Sequence, residues 1–217
     1  MTASKLLPYL LVTALSFGQA ALAELTIYPS AHDTKPLQPG TAMPAFSVTD
    51  VNGDSVVFDG QPSARPMVLI TFRGGWCPYC NTQLQELRHV LPELSQKADV
   101  YFFSGDRPEA LYAGLEDQTQ EEIKGLGYTI LSDADLHAAS ALGIAFKESA
   151  IKAGAMKLFL DLKQSSIAKH RALPVPAIFI VDTQGTIVYT YADPDYKNRL
   201  APAELISALN SSTEPTS

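Results

Sequence analysis

An unbroken apolar run, Met67-Val68-Leu69-Ile70-Thr71-Phe72, leads through Arg73-Gly74-Gly75-Trp76 into Cys77-Pro78-Tyr79-Cys80, after which residues 81–98 turn helix-compatible. A continuous apolar run of this length is the pattern of a strand buried on both faces. Leu84, Leu87, Leu91 and Leu94 recur at helical spacing behind it. The only two cysteines of the chain therefore fall where a buried strand hands over to a helix. A helix N-terminus carries partial positive charge and unpaired N–H groups, and both favour thiolate over thiol. Pro78 fits the first helical position, because its φ is already helical and the N–H it lacks would be unpaired there. Cys77 is then expected to be the exposed, lower-pKa attacking thiolate. Cys80, one turn in, is expected to be more buried and to resolve the mixed disulfide.

The remaining pattern supplies the frame around this junction. Residues 46–50 and 55–58 flank Asn52-Gly53 and read as a β-hairpin. Pro92 should kink or split the helix near Leu91. Val100-Tyr101-Phe102-Phe103 and Tyr128-Thr129-Ile130-Leu131 are further strands, with residues 108–124 helical between them and a short helix from Asp133 to Leu142. Residues 148–171 lean helical without one clean face and are taken as an insertion. Ala177-Ile178-Phe179-Ile180-Val181 and residues 186–191, joined by Asp182-Thr183-Gln184-Gly185, close the sheet, and a last helix follows from Pro202 to about Asn210. The order β-α-β, then β-β-α, predicts an α/β fold with a mixed central sheet flanked by helices and an N-terminal β-hairpin extension.

Charge and the leader bound the setting. Lys5, the apolar residues 6–17 and Ala21-Leu22-Ala23 form the pattern of an export signal spanning residues 1–23. The expected order is that signal, an extended lead-in over 24–43, one domain over 44–210 and a disordered tail over 211–217. Removing 23 residues from 217 takes one Lys and no acid, which moves the net charge from −7 to −8. No basic run remains, which argues against nucleic acid or an anionic membrane as partner. A Cys pair closing so small a loop constrains the unfolded chain little, so it is not a scaffold disulfide. Redox use and metal binding are the open readings, and the location expected is periplasmic or extracellular.

With these elements in place, the chain resembles the thioredoxin fold, and within it the peroxiredoxin-like branch of the alkyl hydroperoxide reductase/thiol-specific antioxidant family. The resemblance covers about Pro44 to Leu209, with the hairpin Phe46 to Phe58 similar to the family's N-terminal extension. It rests on residues 71–81, on Ile130 to Asp135 running into Ala141-Leu142-Gly143-Ile144, on Leu173 to Asp182, and on Tyr191 to Tyr196 followed by Arg199. It implies an antioxidant thiol oxidoreductase that cycles Cys77 and Cys80 between dithiol and disulfide, with no added cofactor. It also implies a hydroperoxide or protein disulfide as substrate and a thioredoxin-like or membrane reductant. Family members carry a Pro seven positions, and a Thr or Ser three positions, before the peroxidatic cysteine. Aligning Cys80 with that cysteine puts Arg73 and Cys77 there, so a thiol replaces the hydroxyl that orients peroxide. A disulfide reductase without peroxidase activity is the alternative.

Three further residues are expected to orient substrate. Arg73 stabilises thiolate charge or orients a peroxide oxygen, unless it merely pairs with a nearby acid. Trp76 shields the sulfurs and offers an apolar contact, unless it is a core aromatic. Pro176 follows the candidate cis bond Val175–Pro176, which the resemblance places facing the redox centre; a trans proline at a strand start is the other reading. Arg199 is expected to pair with Asp193 or Asp195. No metal site is expected, but a copper chaperone of related fold would add a distant histidine, here His170, to the two cysteines. His32, His89 and His137 read as surface or packing residues.

Overall fold

The computed structural model describes residues 24–213, so the expected leader and the last four residues of the tail lie outside the described residues. In chain order the elements are β1 (Phe46–Thr49), β2 (Ser55–Phe58), β3 (Met67–Phe72), α1 (Pro78–Leu87), α2 (Leu91–Lys97), β4 (Asp99–Ser104), α3 (Asp117–Ile123) and β5 (Tyr128–Ser132). They continue with α4 (His137–Ala141), β6 (Ala145–Lys147), α5 (Ala150–Phe159), α6 (Ser166–His170), β7 (Ala172–Pro174), β8 (Ala177–Val181), β9 (Ile187–Ala192) and α7 (Pro202–Thr213). Seven strands form one mixed sheet in the order β2-β1-β5-β4-β3-β8-β9. The central three, β5, β4 and β3, run parallel, and β8 and β1 join them antiparallel on either side.

Every residue of β3 is buried, which is why its sequence reads as apolar without alternation. Alternate side chains nonetheless go to opposite faces. Val68, Ile70 and Phe72 join Leu84, Leu87, Leu91, Leu94, Leu205 and Leu209 in a core beneath α1, α2 and α7. Met67 and Leu69 point the other way, toward Phe46, Phe58, Phe103, Phe179 and the alanines of α4. The hairpin β1–β2 thus covers the second face, with Phe46 and Phe58 stacked at 5.0 Å between centroids. Parallel strands end together, so the loops after β3, β4 and β5 gather at one edge, where open α/β sheets place their sites.

Several expectations are refined. Pro92 separates α1 from α2, as its missing N–H requires. Residues 108–124 are not one helix: a single 3-10 turn over Pro108–Ala110 precedes the seven residues of α3. The short helix after β5 begins at His137, later than Asp133. Asp133 instead accepts the Ala138 and Ala139 N–H groups at 2.9 and 2.8 Å, serving as a cap from four residues upstream. Residues 148–171 hold α5 and α6, bracketed by the two-stranded ribbon β6–β7 that the sequence did not announce. The last helix runs through Thr213, so residues 211–213 are helical where a disordered tail was expected.

The Val175–Pro176 bond is trans, and no cis peptide occurs among the described residues. The local hydrogen bonds explain the extended path. The Val175 N–H donates to the Ile144 carbonyl at 2.8 Å. The Thr71 hydroxyl donates to the Val175 carbonyl at 3.1 Å and accepts from the Ala177 N–H at 2.9 Å. One buried hydroxyl thereby ties β3 to both sides of Pro176. Replacing it by Thr71→Val strands a buried donor and acceptor, which should cost about 1–3 kcal/mol; urea unfolding of the variant measures it. Burial pushes the Asp133 carboxyl up to about 7 despite its two backbone donors. A carboxyl raised in the folded state favours the protonated fold, so this contribution to stability is full near pH 4 and is lost as pH rises through 7. The stability difference between wild type and Asp133→Asn should therefore fall across that window, by at most about 1.4 kcal/mol per pH unit.

Candidate active site

Cys77 is the N-cap residue of α1, with extended backbone (φ −91°, ψ 115°), and Pro78 holds the first helical position. The Cys77 carbonyl accepts the first helical hydrogen bonds, from the Cys80 and Asn81 N–H groups at 2.9 and 3.1 Å. Both sulfurs are free thiols and both are buried, Cys77 to 1% exposure and Cys80 to 0%. Cys77 is thus not the exposed thiol that its place at the helix start predicted. Arginine and aromatic side chains converge on this turn from distant parts of the chain. The Tyr79 and Tyr196 rings meet edge to face at 5.6 Å, and the Arg73 guanidinium lies 4.3 Å from the Tyr196 ring and 5.2 Å from that of Trp76.

Electrostatics separates the two thiols in the expected sense. The Cys80 thiol donates to the Cys77 sulfur and brings the Cys77 pKa down to about 6 against the opposing effect of burial; the charges of Arg73 and Arg199 and the Cys80 N–H add to it. Burial drives Cys80 the other way, well above the ordinary thiol range, and donating to Cys77 holds its proton further. The pair is thereby biased toward a Cys77 thiolate beside a protonated Cys80. The Arg199 Nη2 lies 3.8 Å from the Cys80 sulfur, while its Nη1 donates to the Tyr196 and Asn198 carbonyls. Arg199 therefore faces the sulfurs and not Asp193 or Asp195, because the turn after β9 folds back over α1.

Arg73 lies between an acid and the sulfurs. It is 7% exposed, its Nη2 stands 3.8 Å from Glu148 Oε2, and its charge reaches Cys77. Trp76 is half-buried, packed against the main core and the small cluster of Ala153, Leu162, Ile167 and Leu173. Pro176 is buried beside Thr71 and takes no part in the arginine network. His170 sits 3.8 Å from Asp135, and among the described residues no cluster of three or more His, Cys, Asp or Glu is placed to hold a metal ion.

The loop between β3 and α1 is held by two residues that sequence reasoning passed over. Asp106, at the end of β4, accepts the Gly75 N–H at 2.6 Å and the Ser104 hydroxyl at 3.2 Å, and the Trp76 indole also bonds to it. Asn81 Nδ2 donates to the Gly75 and Cys77 carbonyls at 2.6 and 3.2 Å, while its Oδ1 accepts the Glu116 N–H. Gly74 adopts φ +152°, and a side chain there would collide with Trp76 and Asp106. The signal for Asp106 was its place just past a buried parallel strand; Tyr196 fell within the segment 191–196 that carries the resemblance, and nothing local marked Glu148.

Thiolate absorbance of the reduced protein should show one ionisation near pH 6, absent from Cys77→Ser, with no second step below about pH 9. In Arg73→Met that midpoint should rise toward the ordinary thiol value, since the removed cation favours the anion.

The AhpC/TSA family profile matches residues 39–190. No curated protein gives a significant sequence match. Among solved structures, the chain is similar to a peroxiredoxin-like protein from Aquifex aeolicus, at 20% identity over 82% of this chain and 89% of that one, TM-score 0.59. It is similar to the AhpC of Mycobacterium tuberculosis at 16% identity over 82% and 93%, TM-score 0.58. A reduced peroxiredoxin from Vibrio vulnificus, in complex with hydrogen peroxide, matches at 15% identity over 80% and 96%, TM-score 0.58. The match to the profile spans well over half of the sequence, and the sheet, the buried cysteine turn and its flanking helices agree with it: the chain belongs to the AhpC/TSA family and is a thiol-dependent oxidoreductase.

Proposed function

We propose that this protein is an exported two-cysteine peroxidase in which Cys77, and not the Cys80 that aligns with the family's peroxidatic cysteine, attacks the hydroperoxide, and Cys80 resolves the product. One observation carries the reading: both sulfurs sit at the start of α1 with Arg199 Nη2 3.8 Å from Cys80, a setting that brings the Cys77 pKa down to about 6 and raises that of Cys80. The Cys77 thiolate attacks the terminal oxygen of ROOH, the O–O bond breaks, and the departing alkoxide takes a proton to give ROH. Cys77 is left as a sulfenic acid. Its negative charge is now gone, which removes part of what held the Cys80 proton. Cys80 loses that proton and attacks the Cys77 sulfur. The hydroxyl leaves as water, and one disulfide remains. The balance is ROOH plus two thiols to ROH, water and a disulfide.

Arg73 and Arg199 supply donors where oxygen charge develops, in place of the family's threonine or serine hydroxyl. Each has a buried Nε hydrogen without an acceptor among the described residues. A thioredoxin-type dithiol or a membrane reductant would recharge the disulfide. Export rests on the pattern of Lys5, the apolar residues 6–17 and Ala21-Leu22-Ala23. A second reading, disulfide reduction of exported proteins without a peroxide step, is favoured by the thiol that Cys77 places at the family's hydroxyl position.

Stopped-flow mixing of reduced protein with hydrogen peroxide separates the two. Peroxidase action should consume two thiols per peroxide at least about 100-fold faster than free cysteine at the same pH, a barrier lower by about 2.7 kcal/mol. Cys77→Ser should abolish the reaction, and Cys80→Ser should stop it at the sulfenic acid. Oxidation no faster than free cysteine would leave the disulfide reductase.

A further inference from the structure

A cleft of about 680 Å³, a volume suited to an organic ligand, is lined in part by Arg73, whose charge reaches Cys77. Its charge runs against that of the whole molecule. Arg73, Lys147, Lys152 and Arg171 line it against two acids, Glu148 and Asp195, in a chain of net charge −7. Glu148 is already engaged: its Oε1 accepts the Ser149 N–H at 2.8 Å and its Oε2 stands 3.8 Å from Arg73. Lys147 is also committed, donating to the His170 carbonyl at 2.8 Å. Lys152 and Arg171 are exposed and form no ion pair among the described residues.

The cleft also receives the start of α5, since Ser149 and Ala150 line it. That helix end adds partial positive charge. Arg73 also lines the cleft, and Arg171 adds a second, exposed guanidinium to it. The planar fork of a guanidinium suits the oxygens of a carboxylate. Phe146 and Tyr196 supply apolar wall.

We propose that this cleft is the subsite for the carboxylate of an organic hydroperoxide, so that the preferred substrate is acidic and enters with its charged end away from Cys77. The assignment rests on the peroxidase reading above. Arg73 joins the two halves of the site, because its charge reaches Cys77 on one side and the cleft on the other.

The test compares cumene hydroperoxide bearing a para-carboxylate with the methyl ester of the same compound, in single turnovers of pre-reduced protein. No thiol reductant is present, so a carboxylate on a reductant cannot account for the result. Wild type should react with the acid about tenfold faster or more at low salt. The double variant Lys152→Gln with Arg171→Gln should bring the ratio to about one, with its rate toward hydrogen peroxide unchanged. A ratio near one in wild type, or one that the double variant leaves intact, overturns the proposal. Binding of 4-isopropylbenzoate, followed by fluorescence of Trp76, the single tryptophan, reads the subsite apart from turnover. If no hydroperoxide is reduced, the peroxidase reading and the substrate assignment fall. Benzoate binding that is lost in the double variant then keeps the anion subsite, and no binding in wild type removes it.

Discussion

The hydrogen bond from the Cys80 thiol to the Cys77 sulfur sets two chemically identical side chains apart in acidity. It depends on both sulfurs being held at the first turn of α1, and that turn is fixed by what surrounds it. β3 is buried along its whole length between β4 and β8, so the point where the chain leaves the sheet is not free to shift. Asp106 and Asn81 then grip the Gly75 N–H and C=O respectively, which sets the path into the cysteine turn. Loosening either grip would act on the chemistry through geometry.

Placing a thiolate in a buried site has an electrostatic cost, and the fold offsets it with two arginines. Both come with partners that limit their freedom: Arg73 lies beside Glu148 and two aromatic rings, and Arg199 is tied to the Tyr196 and Asn198 carbonyls. Arginine suits such positions because its guanidinium is weakly hydrated, stays charged, and stacks on aromatic faces. Of the two, Arg73 also lines the neighbouring cleft, so one side chain serves both the Cys77 anion and that surface.

Much of the frame was legible along the chain. The β1–β2 hairpin announced itself by Asn52-Gly53, the split of α1 from α2 by Pro92, and the central strand by the apolar residues 67–72. Those features are written in local backbone preference and in the period of apolar residues. The ribbon β6–β7 was not legible, because strands of three residues carry too little periodicity. The trans Val175–Pro176 bond and the burial of Cys77 were misread for a related reason. Each depends on long-range partners, Thr71 and Ile144 in one case and the core that Cys77 shares with Leu111, Leu115 and Leu205 in the other.

The sequence by itself determined that two sulfurs share one helix start, since a spacing of three residues behind a buried strand leaves little else for them to do. It also determined the mixed sheet through the alternation of strand and helix patterns. Only the tertiary structure decided which charges meet those sulfurs. Glu148, Tyr196 and Arg199 lie far from Cys77 along the chain, and Coulombic and hydrogen-bond energies depend on distance through space, which separation in sequence does not encode.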